Sequence, residues 1–188
     1  LASNQGPKIL RQNGGFDLLR KIYKEKAGSH LLAWGENLTS YYMYLGKKPK
    51  FSKDGLPNLT GMKMRATGTY RPLFRALGAT TVNIKSSEIF TAMQRKTVDG
   101  FGMTDSALIA IGLQSVTKYR VWPNFYVTNQ MVTVNLNKWK SLTQKQRDFL
   151  SNLALHYETS SVLYVELERQ KEEIIIAKTN EPKTIKLK

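Results

Sequence analysis

Cysteine is absent from this 188-residue chain, histidine occurs twice, and acidic residues number 14 against 29 lysines and arginines. Without cysteine there is no disulfide framework, thiolate metal site or cysteine nucleophile. The same absence suits an oxidising periplasm and a reducing cytosol equally. No uninterrupted apolar run reaches the roughly 18 residues that a spanning helix needs. The opening Leu1-Ala2-Ser3-Asn4-Gln5-Gly6-Pro7 lacks the charged start and apolar stretch of a signal peptide. Either no export signal existed, or it left with the front of a precursor. Catalytic signatures are missing as well: no Gly-x-Ser-x-Gly, no Walker phosphate loop and no His-Glu-x-x-His occurs. His30 falls in an apolar strand and His156 on a long helix, so both read as structural or surface histidines. Nothing near either resembles a metal site, and no cofactor is expected. An enzyme reading has to use Asp99 and Asp105 as an acid/base pair; the plainer assignment is a turn aspartate and a helix cap.

What is present is an ordinary globular composition, 41% hydrophobic and 23% charged, with a net charge of +15. Such a charge first suggests nucleic acid or an acidic membrane surface. The lysines are spread thinly, however, in groups such as Lys47/Lys48/Lys50/Lys53 and Lys138/Lys140/Lys145. No run of five appears, and no basic stripe is interleaved with base-stacking aromatics. A solvated basic surface is therefore expected, with nucleic-acid binding as an alternative. Such a surface draws anions inward, an effect that salt weakens.

The pattern predicts a helix over about 16–28, ending at Gly28, then short strands at 30–34, stopped by Gly35, and at 41–45. Residues 47–58 read as a connection. From residue 59 strand and helix alternate: strands at 62–67 and 80–84, extended chain at 98–104, and helices at 70–77, 86–95 and 105–113. Strands follow at 117–122 and 127–136, divided at Pro123-Asn124. Thr143-Gln144-Lys145-Gln146 is a capping-box start for a helix to about Ile176, roughly 50 Å long at 1.5 Å per residue. A helix of that length is expected to brace two lobes or to project from one. The whole reads as α/β with a largely parallel sheet, which places ligands at the carboxyl ends of its strands.

Residues 59–118 carry a resemblance. Leu59-Thr60-Gly61-Met62-Lys63-Met64-Arg65 is similar to the Leu-x-Gly-hydrophobic-Lys-hydrophobic-Arg strand of the DctP-type solute-binding proteins of TRAP transporters. Leu77-Gly78-Ala79, Glu88-Ile89-Phe90-Thr91-Ala92-Met93-Gln94 and Val98-Asp99-Gly100 follow in the family's order, with Val116-Thr117-Lys118-Tyr119 behind them. A weaker likeness covers Lys47-Lys48-Pro49 and Asn135-Leu136-Asn137-Lys138-Trp139 with the long helix.

The resemblance implies a periplasmic receptor of periplasmic-binding-protein-like, two-lobe α/β architecture with a long bracing C-terminal helix. It captures an organic acid and delivers it to a membrane permease. Arg65 takes the family's carboxylate-gripping role, which suits a guanidinium's two parallel donors. Thr67, Tyr70 and Arg71 follow it into the loop. Phe101, Met103 and Asp105 lie in the stretch that faces ligand, while Trp122, Phe125 and Tyr126 offer ring-stacking surface. Met103 stands where relatives often have Asn or Trp, and Tyr41, Tyr42 and Tyr44 stand where a second arginine is frequent. An acid with one carboxylate and an apolar or aromatic body is therefore expected. Relatives extend beyond both ends of this chain, so lobe I is expected to be incomplete. Residues 1–58 are then part of lobe I, 59–130 lobe II, and 131–188 the return strand and bracing helix. On that view the chain binds ligand weakly or not at all alone, or dimerises by exchange of elements.

Overall fold

Glycines punctuate the first elements. The computed structural model describes residues 6–187, apart from the side chains of Asn37 and Leu38. Helix α1 (Gly6–Gln12) leads into α2 (Gly15–Ala27), which stops where Gly28, at φ 56°, turns its amide back to the Tyr23 carbonyl. Strand β1 (Ser29–Leu45) starts at once and runs without a break through Gly35, where the sequence suggested a stop. The reason is local. A Cβ at Gly35 would collide with the Tyr157 ring and lie 2.9 Å from Ser161 Oγ. The glycine admits those groups to the strand instead of ending it.

A small hairpin follows, β2 (Lys50–Phe51) with β3 (Pro57–Asn58). Next come β4 (Lys63–Arg65), α3 (Arg71–Ala76), β5 (Thr80–Val82), α4 (Ile89–Gln94), β6 (Gly100–Thr104) and α5 (Ala107–Ala110). Strand β7 (Tyr119–Asn135) is continuous through Pro123, again where two strands were expected. Helix α6 (Leu136–Ser141) was not expected; the Asn135 side chain caps it by accepting from the amides of Asn137 and Lys138. Helix α7 (Gln144–Thr179) starts on the foreseen capping box, Thr143 and Gln146 bonding reciprocally. The last strand, β8 (Lys183–Lys186), was also unforeseen.

The chain forms two compact units. The first comprises residues 1–39 and 127–167, the second residues 40–126 and 168–188. In the first unit, Phe16, Leu31 and Trp34 form one core cluster, and Leu32, Ala33 and Ala154 another. Glu158 is buried there between Arg11, paired at 2.8 Å, and the Trp34 amide. His30 stacks on Trp139 at 3.9 Å, and burial, then the charge of Arg20, lowers its pKa. Both make it a structural histidine.

The main sheet has the order β5-β4-β6-β1-β7-β8. Strands β5, β4 and β6 are mutually parallel, and β1 runs antiparallel to β6 through Tyr41↔Thr104 to Leu45↔Gly100. Strands β7 and β8 also pair in parallel, so the sheet is mixed, with parallel pairs on both sides of β1. In the second unit the pleat sorts β1 into two faces. Tyr42 and Tyr44 join Ile89, Met93, Phe101, Leu108 and Leu113 on one side. Met43 and Leu45 join Met62, Met64, Tyr70 and Phe74 on the other. Full burial of a side chain such as Phe101 or Met64 stabilises by roughly 1.5–3 kcal/mol.

Candidate functional site

Arg65 closes β4 at its carboxyl end and is 4% exposed. Its guanidinium donates from Nε to the Ile84 carbonyl at 2.9 Å. Nη1 donates to Tyr70 Oη at 3.1 Å and the Gly102 carbonyl at 3.2 Å, and Nη2 to Ser86 Oγ at 3.3 Å. All four acceptors are neutral. A buried cation is normally paired with a carboxylate or metal-bound anion, because hydroxyls and carbonyls replace only part of its lost hydration. One Nη2 hydrogen is left uncommitted among the described residues, beside the Ser86 hydroxyl, whose own hydrogen is free to donate to the same anion.

Tyr70 makes this geometry. The loop after β4 turns at Gly68, and the Thr67 carbonyl accepts the Arg71 amide as α3 begins. That brings Tyr70 Oη within 2.8 Å of the Gly102 carbonyl, so Arg65 and Tyr70 converge on one acceptor. Gly102 is required for it: a Cβ there would come within 2.7 Å of the Tyr70 ring and 3.1 Å of Phe125. Around Tyr70 stand Tyr41 at 5.7 Å and Phe125 at 5.3 Å between ring centres, and Tyr126 meets Tyr41 edge-on at 5.5 Å. The arrangement is a fixed cationic donor beside an aromatic group.

The other residues singled out in the sequence divide. Thr67 and Arg71 are half-buried next to Tyr70, and Arg71 Nε is buried with no partner among the described residues. Met103 is half-buried against the core face opposite Gly102. Phe101 is wholly buried and stacks on Tyr44 at 5.3 Å, so it is a core side chain rather than a wall residue. It pairs in register with Arg65, so the two side chains leave the sheet on the same face. Asp105 is likewise committed: Oδ2 accepts from Arg169 Nε at 2.8 Å and Oδ1 from the Ser106 amide. Burial raises its pKa despite Arg169. Trp122 is exposed, while Phe125 is half-buried among Tyr70 and Phe74. Tyr42 and Tyr44 lie on the far face of the sheet, leaving Tyr41 alone of the three beside Tyr70.

Asp99 and Asp105 do not form an acid/base pair. They flank opposite ends of β6, a separation of about 20 Å. Burial pushes the Asp99 pKa up, but Lys47 at 2.8 Å and the Lys63 amide outweigh it, so the carboxyl sits below its ordinary value. Among the described residues no group of three or more His, Cys, Asp or Glu is placed to hold a metal ion. Nor is any described helix long and apolar enough to cross a membrane.

Three acceptors at Arg65 were not foreseen: the carbonyls of Ile84 and Gly102 and the hydroxyl of Ser86. Carbonyls leave no residue-type signal, although a glycine inside a strand marks close approach by a neighbour.

Comparison with known proteins places this geometry in context. Residues 3–188 match the DctP family, described as bacterial extracellular solute-binding protein, family 7. A TRAP periplasmic solute-binding protein from Pseudomonas putida F1, with bound D-glucuronate, is 24% identical at a TM-score of 0.76. The match covers 93% of this chain and 56% of that one. One from Pseudomonas aeruginosa PAO1, with bound L-malate, is 20% identical at 0.77, covering 96% and 61%. One from Desulfovibrio salexigens, with bound orotic acid, is 18% identical at 0.78, covering 96% and 57%. At these identities the likeness is one of fold, and the chain spans about 56–61% of the length of those structures.

Proposed function

This chain belongs to the DctP family of periplasmic solute-binding proteins, and from that premise we propose that it captures a small organic acid by its carboxylate at Arg65. The observation that carries the reading is a guanidinium 4% exposed whose four hydrogen-bond partners are all uncharged. An incoming carboxylate supplies the missing countercharge and takes the free Nη2 hydrogen. The Ser86 hydroxyl turns towards it while Tyr70 keeps its bond to Gly102, and charge-assisted bonds of this kind are about twice as strong as neutral ones. The three matched structures hold a sugar acid, a dicarboxylate and an aromatic acid, which share only the carboxylate. Tyr41, Tyr70, Phe125 and Tyr126 supply ring surface, which favours a single carboxylate on an apolar or aromatic body. Thr67 and Arg71 complete the proposed set, with Arg71 Nε as a second donor.

Delivery to a TRAP permease follows from the family reading. Bound and free forms would differ in their contacts with the acid, and that difference is what a membrane partner reads. Self-association is the second partner proposal. It rests on Phe149, Leu153, Leu163, Tyr164 and Leu167, all exposed along α7. Sedimentation across a concentration series decides it, a constant monomer mass removing the idea.

The test of the main reading is thermal-shift screening of an organic-acid panel on the wild type and on Arg65→Ala and Arg65→Lys. Stabilisation by at least one acid, lost in both variants, is expected, because lysine keeps the charge but cannot make the four bonds that aim the free Nη2 hydrogen. An acid that stabilises all three proteins alike removes Arg65 from the site.

A further inference from the structure

We propose that the β2–β3 hairpin and the neighbouring β8 form a docking surface for a bilayer carrying anionic headgroups. This goes beyond acid capture and uses none of its residues. The hairpin tip is a built turn: the Ser52 amide donates to the Leu56 carbonyl at 2.9 Å and the Gly55 amide to the Ser52 carbonyl at 3.0 Å. The Leu56 amide donates in turn to Ser52 Oγ at 3.2 Å, and Gly55 supplies the positive φ of 77°. Pro49 and Pro57 are buried at its base. On this frame Phe51 and Leu56 stand 41% and 50% exposed, although each is large and apolar.

Charge surrounds them. Lys48, Lys50 and Lys53 on the hairpin and Lys183 and Lys186 on β8 are exposed, with Asp54 the one acid in that stretch. None of the five lysines is paired with a carboxylate among the described residues, whereas nearby Lys47 is taken by Asp99. Between hairpin and strand lies a groove of about 650 Å³ lined by Lys48, Phe51 and residues 53–55, Asp54 among them, and by Thr184–Leu187. β8 is the last strand of its sheet.

Two apolar side chains on a stiff tip, ringed by unpaired lysines, match the chemistry of a lipid interface. The ring and the leucine enter the acyl boundary, lysine stems lie along it, and the ammonium groups meet headgroup phosphates. An acidic polypeptide would use the lysines but has less need of the exposed phenylalanine and leucine.

The test is co-sedimentation of the full chain with vesicles of mixed phosphatidylcholine and phosphatidylglycerol, and with phosphatidylcholine alone, at low and high salt. Binding to the anionic vesicles, weakened by salt, is expected. Lys48→Gln/Lys50→Gln/Lys53→Gln lowers it by about fivefold per lysine, and Phe51→Ser/Leu56→Ser lowers it at both salt concentrations. Unchanged melting temperatures show that these exposed positions do not perturb folding. Lys138→Gln/Lys140→Gln/Lys145→Gln is the control for bulk charge. If that control loses as much as the hairpin triple, or if no anionic vesicle is bound, the proposal fails. Binding that needs the hairpin lysines but ignores Phe51 and Leu56 also overturns it, in favour of an acidic polypeptide.

Discussion

Arg65 and Tyr70 share one acceptor, the carbonyl of Gly102, at 3.2 Å from Nη1 and 2.8 Å from the phenol oxygen. Each also bonds the other at 3.1 Å, so guanidinium, phenol and carbonyl form a closed triangle. In a buried place such a triangle fixes both side chains, because release of either leaves a polar atom dry.

Tyr70→Phe opens the triangle while keeping the ring contacts with Phe125 and Phe74. A loss of about 1–2 kcal/mol in stability is expected from the unmet bonds, measured by urea unfolding. Acid affinity should fall with it, by roughly tenfold, since Arg65 loses a positioning partner. Retained affinity would show that the phenol oxygen has no part in holding Arg65.

Gly102→Ala tests the same triangle from beneath. The added methyl would stand 2.7 Å from the Tyr70 ring and 3.1 Å from Phe125, so the rings must retreat. Overpacking of this kind costs about 1–3 kcal/mol. Acid binding measured by titration calorimetry should weaken as Tyr70 moves, and an unchanged enthalpy and affinity would contradict the geometry.

Glu172 gives a pH prediction. It is 2% exposed, Tyr44 donates to Oε1 at 3.3 Å, and Oε2 has no partner among the described residues. Burial first, and then the charge of Asp105, raise its pKa from 4.5 to about 8. Between those values the folded form holds a proton that the unfolded form has released, so stability falls as pH rises. The contribution is intact below 4.5 and lost above 8. Glu172→Gln should flatten this slope and leave the protein about 1–3 kcal/mol more stable than wild type above that window. Equal slopes in wild type and variant would show that Glu172 is ionised throughout.

Gly35→Ala should disrupt the first unit, since its methyl would run into the Tyr157 ring. A cost of about 1–3 kcal/mol is expected, and it should shrink in a Tyr157→Ala background. Additive effects in a double-mutant cycle would disprove the contact.

Much of the fold was legible where the signal was local. The capping box at Thr143 and Gln146, the helix stop at Gly28 and the β4-α3-β5 alternation all emerge as read, because their determinants lie within a few residues. Gly35 and Pro123 misled for the opposite reason. Both read as interruptions, yet the strands continue, and at Gly35 the cause is a tyrosine far along the chain. At the candidate site, Arg65 stood out as the last residue of a motif and Tyr70 as a residue of the loop behind it. Phe101 is held in the core by its ring contact with Tyr44 on β1, a long-range pairing that sequence does not disclose. Asp105 is paired with Arg169 from α7, a partner far along the chain that sequence does not disclose either. The carbonyls of Ile84 and Gly102 belong to no residue type at all.

A guanidinium pinned at four of its five hydrogens cannot swing to suit one guest over another. Its orientation is settled when the chain folds, so on the proposed reading every acid would meet the same stiff clasp and lose the same little freedom in doing so. Preference among guests must then come from the rings beyond Tyr70, and exchanging those rings should retune selectivity while leaving the clasp untouched.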